Sequence, residues 1–129
     1  MTSKSNFKWY LFPDNMEDKE YRVFPEKIEN DTNIFFHGTA LEKLNNILLQ
    51  GFIPQPPLGS VSYAKTSNGA ICHAAKHKNG IIIAVRFADL KAPGLKIEIS
   101  MAHTYLAPEK REEPVIIGVC KIPGEYKHQ

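Results

Sequence analysis

Cysteine is scarce in this sequence: Cys72 and Cys120 are the only two in 129 residues. Two thiols in apolar surroundings cannot make a disulfide scaffold, and both are expected to stay reduced and buried. Long apolar runs are missing as well. The longest, Ile81 to Val85 and Val115 to Cys120, are strand-length, well short of the roughly 20 residues of a membrane span. An excess of one charge is also lacking, since 16 basic residues face 14 acidic ones along the whole length. Tight nucleic-acid binding relies on clustered Lys and Arg, and Lys76, His77 and Lys78, or Lys110 and Arg111, are small groups that read as solvated surface. The Gly-rich phosphate loops GxGxxG and GxxxxGK are absent, so a nucleotide would have to be held otherwise. The opening MTSKSNFKWYLF carries no apolar core followed by small residues, so no secretory signal is expected. A cytoplasmic setting follows as the expectation, of the producer or of a target cell, with no membrane partner.

What is present suits one domain over 1–129. Apolar content is 43% and charged content 23%, near the soluble globular average. Residues 1–30 form an N-terminal extension in which Phe7, Trp9 and Leu11, then Tyr21 and Val23, alternate with other residues, predicting two short strands. Ile34, Phe35 and Phe36 make a buried strand that ends at His37-Gly38-Thr39. Thr39 with Glu42 has the spacing of a capping box. Leu41, Leu44, Ile47 and Leu48 recur at helical spacing, and Gly51 suits the helix end.

Pro54, Pro56, Pro57 and Gly59 then require a loop. Val61 to Ala64 reads as a strand, Ser67 as the N-cap of a helix carrying Ala70, Ile71, Ala74 and Ala75, and Asn79-Gly80 as a turn. Ile81 to Phe87 fits the centre of a sheet. Leu95, Ile97 and Ile99 alternate as a strand with one wet face, Met101 to Glu112 reads as a loop, and Val115 to Ile122 as the last strand. The sum is an α+β domain with a mostly antiparallel sheet. His73 and His77 stand i, i+4 beside Cys72, but no third ligand motif accompanies them. Surface histidines and no metal are the expectation.

Three features stand in a recognisable order: FFHGT at a strand end before an amphipathic helix, a Tyr opening a second strand–helix unit in SVSYAKTSNGA, and a Glu before the last strand in KREEPVIIGVCKIPGEY. From Asn33 to Tyr126 this order resembles the His-Tyr-Glu ADP-ribosyltransferases, the group of diphtheria-toxin-like enzymes and poly(ADP-ribose) polymerases, together with the small rifamycin-modifying transferases. The resemblance implies a split antiparallel sheet core with two or three short helices and NAD as co-substrate. It places His37 on the adenine-side ribose and the Gly38 backbone on the nicotinamide amide. Thr39 holds the third motif position. Tyr63 matches the aromatic that stacks near nicotinamide, or Ser62 does if the register is taken from the Ala70-Ile71 helix. Ser67 falls on the nicotinamide side, although the cap explains it equally.

Glu113 takes the place of the catalytic glutamate, with Glu112 the alternative because neighbouring strand residues face opposite ways. Cleaving the ribose–nicotinamide bond builds positive charge on the ribose, which a carboxylate beside the 2-hydroxyl stabilises. Arginine-modifying relatives carry a further acid two residues earlier, where this chain has Arg111, or Lys110 in the other register. Arginine is therefore not the expected acceptor. Met101 to Glu112, with His103, Tyr105 and Arg111, would select one, whether protein, nucleic acid or small molecule. A toxin or effector, a phage protein and a resistance enzyme all fit, and a monomer is expected. Two rival functions stand beside the transferase. One is a binding module of the same fold that reads NAD, ADP-ribose or a protein partner without catalysis. The other is an RNA 2'-phosphotransferase, whose dependence on several arginines sits poorly with Arg22, Arg86 and Arg111 as the whole supply.

Overall fold

The computed structural model describes residues 7–14, 22–52, 60–91, 95–105 and 114–124. In chain order the elements are β1 (Lys8–Tyr10), α1 (Glu26–Glu29), β2 (Ile34–Ala40), a 3-10 turn (Leu41–Lys43), α2 (Leu44–Gln50), β3 (Ser60–Ala64), α3 (Ser67–Ala74), β4 (Gly80–Arg86), β5 (Leu95–Ile97), β6 (Met101–Tyr105) and β7 (Val115–Lys121). The strands form one mixed sheet in the order β1-β7-β4-β2-β3-β6-β5. All neighbours are antiparallel except β1 and β7. The α+β class and the mostly antiparallel sheet are therefore as expected.

The apolar run of β4 explains its central place. Every residue from Gly80 to Val85 is buried, which requires cover on both faces. Strand alternation divides that cover. On one face Ile34, Phe36, Ile82 and Ala84 meet Phe24 and Ile28 and the small inner face of α3, Ala70, Ile71 and Ala74. On the other, Phe35, Ile81, Ile83 and Val85 meet Leu44, Phe52, Tyr63 and Phe87, with Leu41 of the 3-10 turn and Ile47 and Leu48 of α2 packed alongside. No helix among the described residues is long and apolar enough to cross a membrane.

Several local expectations are corrected. β2 does not stop before HGT but runs through it to Ala40, because Thr39 pairs with Ile81 of β4 and gains a buried strand position. The Thr39–Glu42 capping box consequently does not form: Ala40 precedes the 3-10 turn without a side-chain cap. Glu42 is held instead by its own backbone N–H and by Asn79 Nδ2 at 3.4 Å. Thr66, not Ser67, caps α3, accepting from the Gly69 N–H at 3.1 Å. Met101–Tyr105, expected as loop, is strand β6, paired on both sides by β3 and β5.

Val23 is not in a strand. Its N–H is taken by side chains, Ser67 Oγ at 2.9 Å and Glu29 Oε2 at 3.1 Å, and Glu29 Oε2 also accepts from the Phe24 N–H at 3.0 Å and from the Ser67 hydroxyl at 2.5 Å. This buried cluster ties the segment before α1 to the start of α3. Cys72 is exposed rather than buried, whereas Cys120 is buried and desolvation pushes its thiol up to about 12. The helix end at Gly51 is as expected, with φ 81°, a backbone that only glycine adopts cheaply.

Candidate functional site

The site follows from how β2 is shared between its neighbours. Its seven residues pair throughout with β4, but with β3 only at Phe36–Ala64. In an antiparallel pair the backbone groups of alternate residues point to opposite sides. The Phe87 N–H donates to Asn33 O and the Leu41 N–H to Asn79 O, which fixes the odd-numbered residues of β2 on the β4 side. Ile34, Phe36 and Gly38 therefore direct N–H and C=O toward β3. Lys65 Nζ donates to the Ile34 carbonyl at 2.9 Å, and Phe36 meets Ala64. At Gly38 strand pairing has ended, so its N–H and C=O face a gap.

A cleft of about 750 Å³ occupies that gap. α2 forms one wall with Lys43, Asn46, Ile47 and Gln50, the i, i+3, i+4, i+7 face of a helix. α3 forms the opposite wall with Gly69, Ala70 and His73. β3 and β6 close the far side through Ser62, Tyr63 and Met101.

Gly38 also meets a packing demand. A Cβ there would stand 2.3 Å from the Ala70 carbonyl oxygen and 2.9 Å from the Ala74 nitrogen. α3 thus rests directly on the strand, and a side chain at position 38 would displace it.

His37 bridges the gap where backbone pairing stops. Its Nδ1 lies 3.0 Å from the Ser62 carbonyl oxygen, an acceptor that only an N–H satisfies, so the neutral ring keeps Nε2 as an acceptor. The imidazole packs edge-on to Phe52 at 5.1 Å and tilted against Tyr63 at 5.7 Å between centroids. Burial holds its pKa below the ordinary histidine value. The Ser62 carbonyl, which favours the protonated ring, opposes that shift, and nearby His73 adds a smaller downward push. The resting ring is neutral, suited to accepting a hydrogen bond from a hydroxyl.

Of the residues singled out from the sequence, His37, Gly38, Thr39, Ser62 and Tyr63 come together around the cleft. Tyr63 is only 1% exposed, its ring wedged against Phe52 and Phe87 at 5.4 and 5.2 Å. Ser67 is fully buried and absent from the lining, with its hydroxyl engaged by Glu29 and Val23. Glu112, Glu113 and Arg111 lie outside the described residues, as does most of the proline-rich loop. The chain that carries the two glutamates joins β6 to β7, strands on opposite sides of the gap.

The sequence reading gave Phe52 and the polar face of α2 no site role and took His73 for a surface histidine. Lys43, Asn46 and Gln50 were legible as the flank opposite the leucine stripe, but nothing in the sequence says that the sheet parts beside them. His73 and His77 are exposed, and no group of three metal-ligating side chains occurs among the described residues. No protein-family model matches the chain, and no curated protein matches it significantly.

Proposed function

We propose that this protein is an NAD-dependent mono-ADP-ribosyltransferase with the split-sheet fold of the His-Tyr-Glu group, acting on an acceptor other than arginine. The observation that carries the reading is the gap beside β2, onto which Gly38 opens its unpaired backbone edge and across which His37 is fixed by the Ser62 carbonyl. A carboxamide sets an N–H donor beside a carbonyl acceptor, which match the C=O and N–H of a strand edge respectively. Nε2 of a neutral His37 accepts from a ribose hydroxyl. Among the described residues the lining contains no Asp or Glu, and Glu113, with Glu112 as the alternative, belongs to the connection from β6 to β7, strands on opposite sides of the gap. Its contribution is to the cationic ribose of the transition state.

The test is to mix the protein with NAD and follow nicotinamide release, alongside a thermal shift with NAD. Absence of both nicotinamide release and a thermal shift would sink the proposal. Glu113→Ala is expected to abolish turnover while leaving NAD affinity largely intact, since its effect lies in the transition state.

The burial of Tyr63 favours a second reading, a non-catalytic module of the same fold that binds NAD or ADP-ribose. A ring enclosed by Phe52 and Phe87 offers no face for stacking. Calorimetric binding without nicotinamide release would select it. The RNA 2'-phosphotransferase reading gains nothing, for no arginine lines the cleft among the described residues.

A further inference from the structure

We infer that Lys43, at the end of the 3-10 turn and followed by Asn46 and Gln50 on the cleft face of α2, is the phosphate contact of this site, so that the cleft recognises its ligand chiefly through a diphosphate. The inference rests on the NAD reading only for the identity of the ligand that brings the phosphates.

Charge is the first ground. Among the described residues that line the cleft none is acidic, and Lys43 is the one lysine or arginine. Across the gap His73 lines the opposite wall. Among the described residues the cleft wall therefore carries a lysine and no acid, which favours an anion over a cationic ligand, with the proposed glutamate confined to the ribose end.

Availability is the second ground. Among the described residues no carboxylate pairs with Lys43: the ion pairs join Arg86 to Asp31 and Lys96 to Glu98. Its neighbour Glu42 is occupied by its own backbone N–H and by Asn79. The ammonium is left to the cleft.

Geometry is the third. Lys43, Asn46 and Gln50 succeed one another at helical spacing along one wall, so one ammonium and two carboxamides form a row of donors. Lys43 and Asn46, about 4.5 Å apart in helix rise, match the oxygens of one diphosphate, and Gln50 lies a further turn along. The outward-facing Lys76 and Lys78, beyond α3 and outside the lining, supply an internal control for net charge.

The experiment is isothermal titration with four probes, NAD, ADP, inorganic pyrophosphate and nicotinamide riboside, against wild type, Lys43→Ala, Lys43→Arg and Lys78→Ala, each first shown to melt as wild type. NAD and ADP are expected to bind Lys43→Ala about tenfold more weakly, a typical loss for one charge-assisted contact. Lys43→Arg and Lys78→Ala should bind as wild type. Nicotinamide riboside, which lacks the diphosphate, should be indifferent to Lys43. Raising salt should weaken NAD binding to wild type more than to Lys43→Ala. Unchanged NAD and ADP affinity in Lys43→Ala overturns the inference and leaves the NAD reading standing. Binding of ADP or pyrophosphate that depends on Lys43, without binding of NAD, upholds the inference and removes NAD. If wild type binds none of the phosphate probes, both fall.

Discussion

Gly38→Ala tests the closest contact behind the cleft. The added Cβ would stand 2.3 Å from Ala70 O and 2.9 Å from Ala74 N. Relieving a 2.3 Å contact means moving backbone by about 1 Å, since non-bonded heavy atoms settle at roughly 3.5 Å. The obstruction is the helix backbone, not the tip of a flexible side chain. α3 cannot retreat freely, because Ala70, Ile71 and Ala74 are fully buried against β2 and β4. Overpacking of a tight core costs about 1–3 kcal/mol, and a rigid obstacle puts this case near 3 kcal/mol. The lower chain entropy of alanine in the unfolded state returns about 0.5–1 kcal/mol, leaving a net loss of about 2 kcal/mol.

Urea denaturation measures that loss directly. A domain of this size should also melt lower by roughly 3–5 °C per kcal/mol. Gly69→Ala is the companion, on α3, where the nearest atoms to a new Cβ are Ala64 Cβ at 3.1 Å and Thr66 Oγ1 at 3.3 Å. Ala64 Cβ is fixed to β3 and Thr66 Oγ1 caps the helix, so the first turn of α3 must shift by a few tenths of an ångström, which alanine's helix propensity of up to about 1 kcal/mol offsets. Gly69→Ala should therefore be neutral within about 0.5 kcal/mol. Equal stability of Gly38→Ala and wild type would refute the packing account of α3 on β2.

Removing Glu29 by Glu29→Ala strands the donors of Val23, Phe24 and Ser67 and should cost about 2–4 kcal/mol in urea denaturation, against about 1–2 kcal/mol for Ser67→Ala. A double-mutant cycle should show the two to be coupled, and strict additivity would contradict a shared cluster. His37 titrates lower folded than unfolded, so the unfolded chain takes up the proton first. Its linkage therefore leaves stability intact above the ordinary histidine value and erodes it as pH falls below about 6.5. Denaturation of wild type and His37→Gln between pH 5 and 8 should show a shallower acid loss in the variant. Native protein should react with one equivalent of a thiol reagent through exposed Cys72 and unfolded protein with two, because the buried Cys120 thiol is pushed up to about 12.

The legible parts of the fold were those that one local pattern decides. β4 was visible in Ile81 to Val85 because a strand buried on both faces has no other way to be written, and the end of α2 was visible in Gly51. Where two local devices competed, tertiary pairing won. Thr39 has the chemistry of a cap, yet β4 offers Ile81 as a strand partner and the helix begins later. Met101–Tyr105 has no clean alternation, and only β3 and β5 on its two sides make it a strand. Val23 reads as strand by alternation, but Glu29 and Ser67 satisfy its N–H. The gap between β2 and β3 was the least legible feature, because it depends on pairing that stops, and no residue type announces an absent partner.

Gly38 shows how a structural and a functional explanation of one residue coexist. The sequence resemblance reads it as a ligand contact, whereas the contact with Ala70 and Ala74 explains it by packing alone. These demands act along different directions, since a strand residue projects its Cβ out of the sheet and its N–H and C=O within it. The missing side chain admits α3, while the backbone edge opens on the gap. A glycine is then needed for the helix whether or not a ligand ever binds, and its presence in HGT is weaker support for an NAD site than the resemblance suggests. The discriminating residue is His37. Its side chain supports no helix, and its Nδ1 fastens it to Ser62 while Nε2 remains to accept. Loss of NAD binding in His37→Ala, with little change in urea stability beyond its packing against Phe52 and Tyr63, would separate recognition from packing where no substitution of Gly38 can.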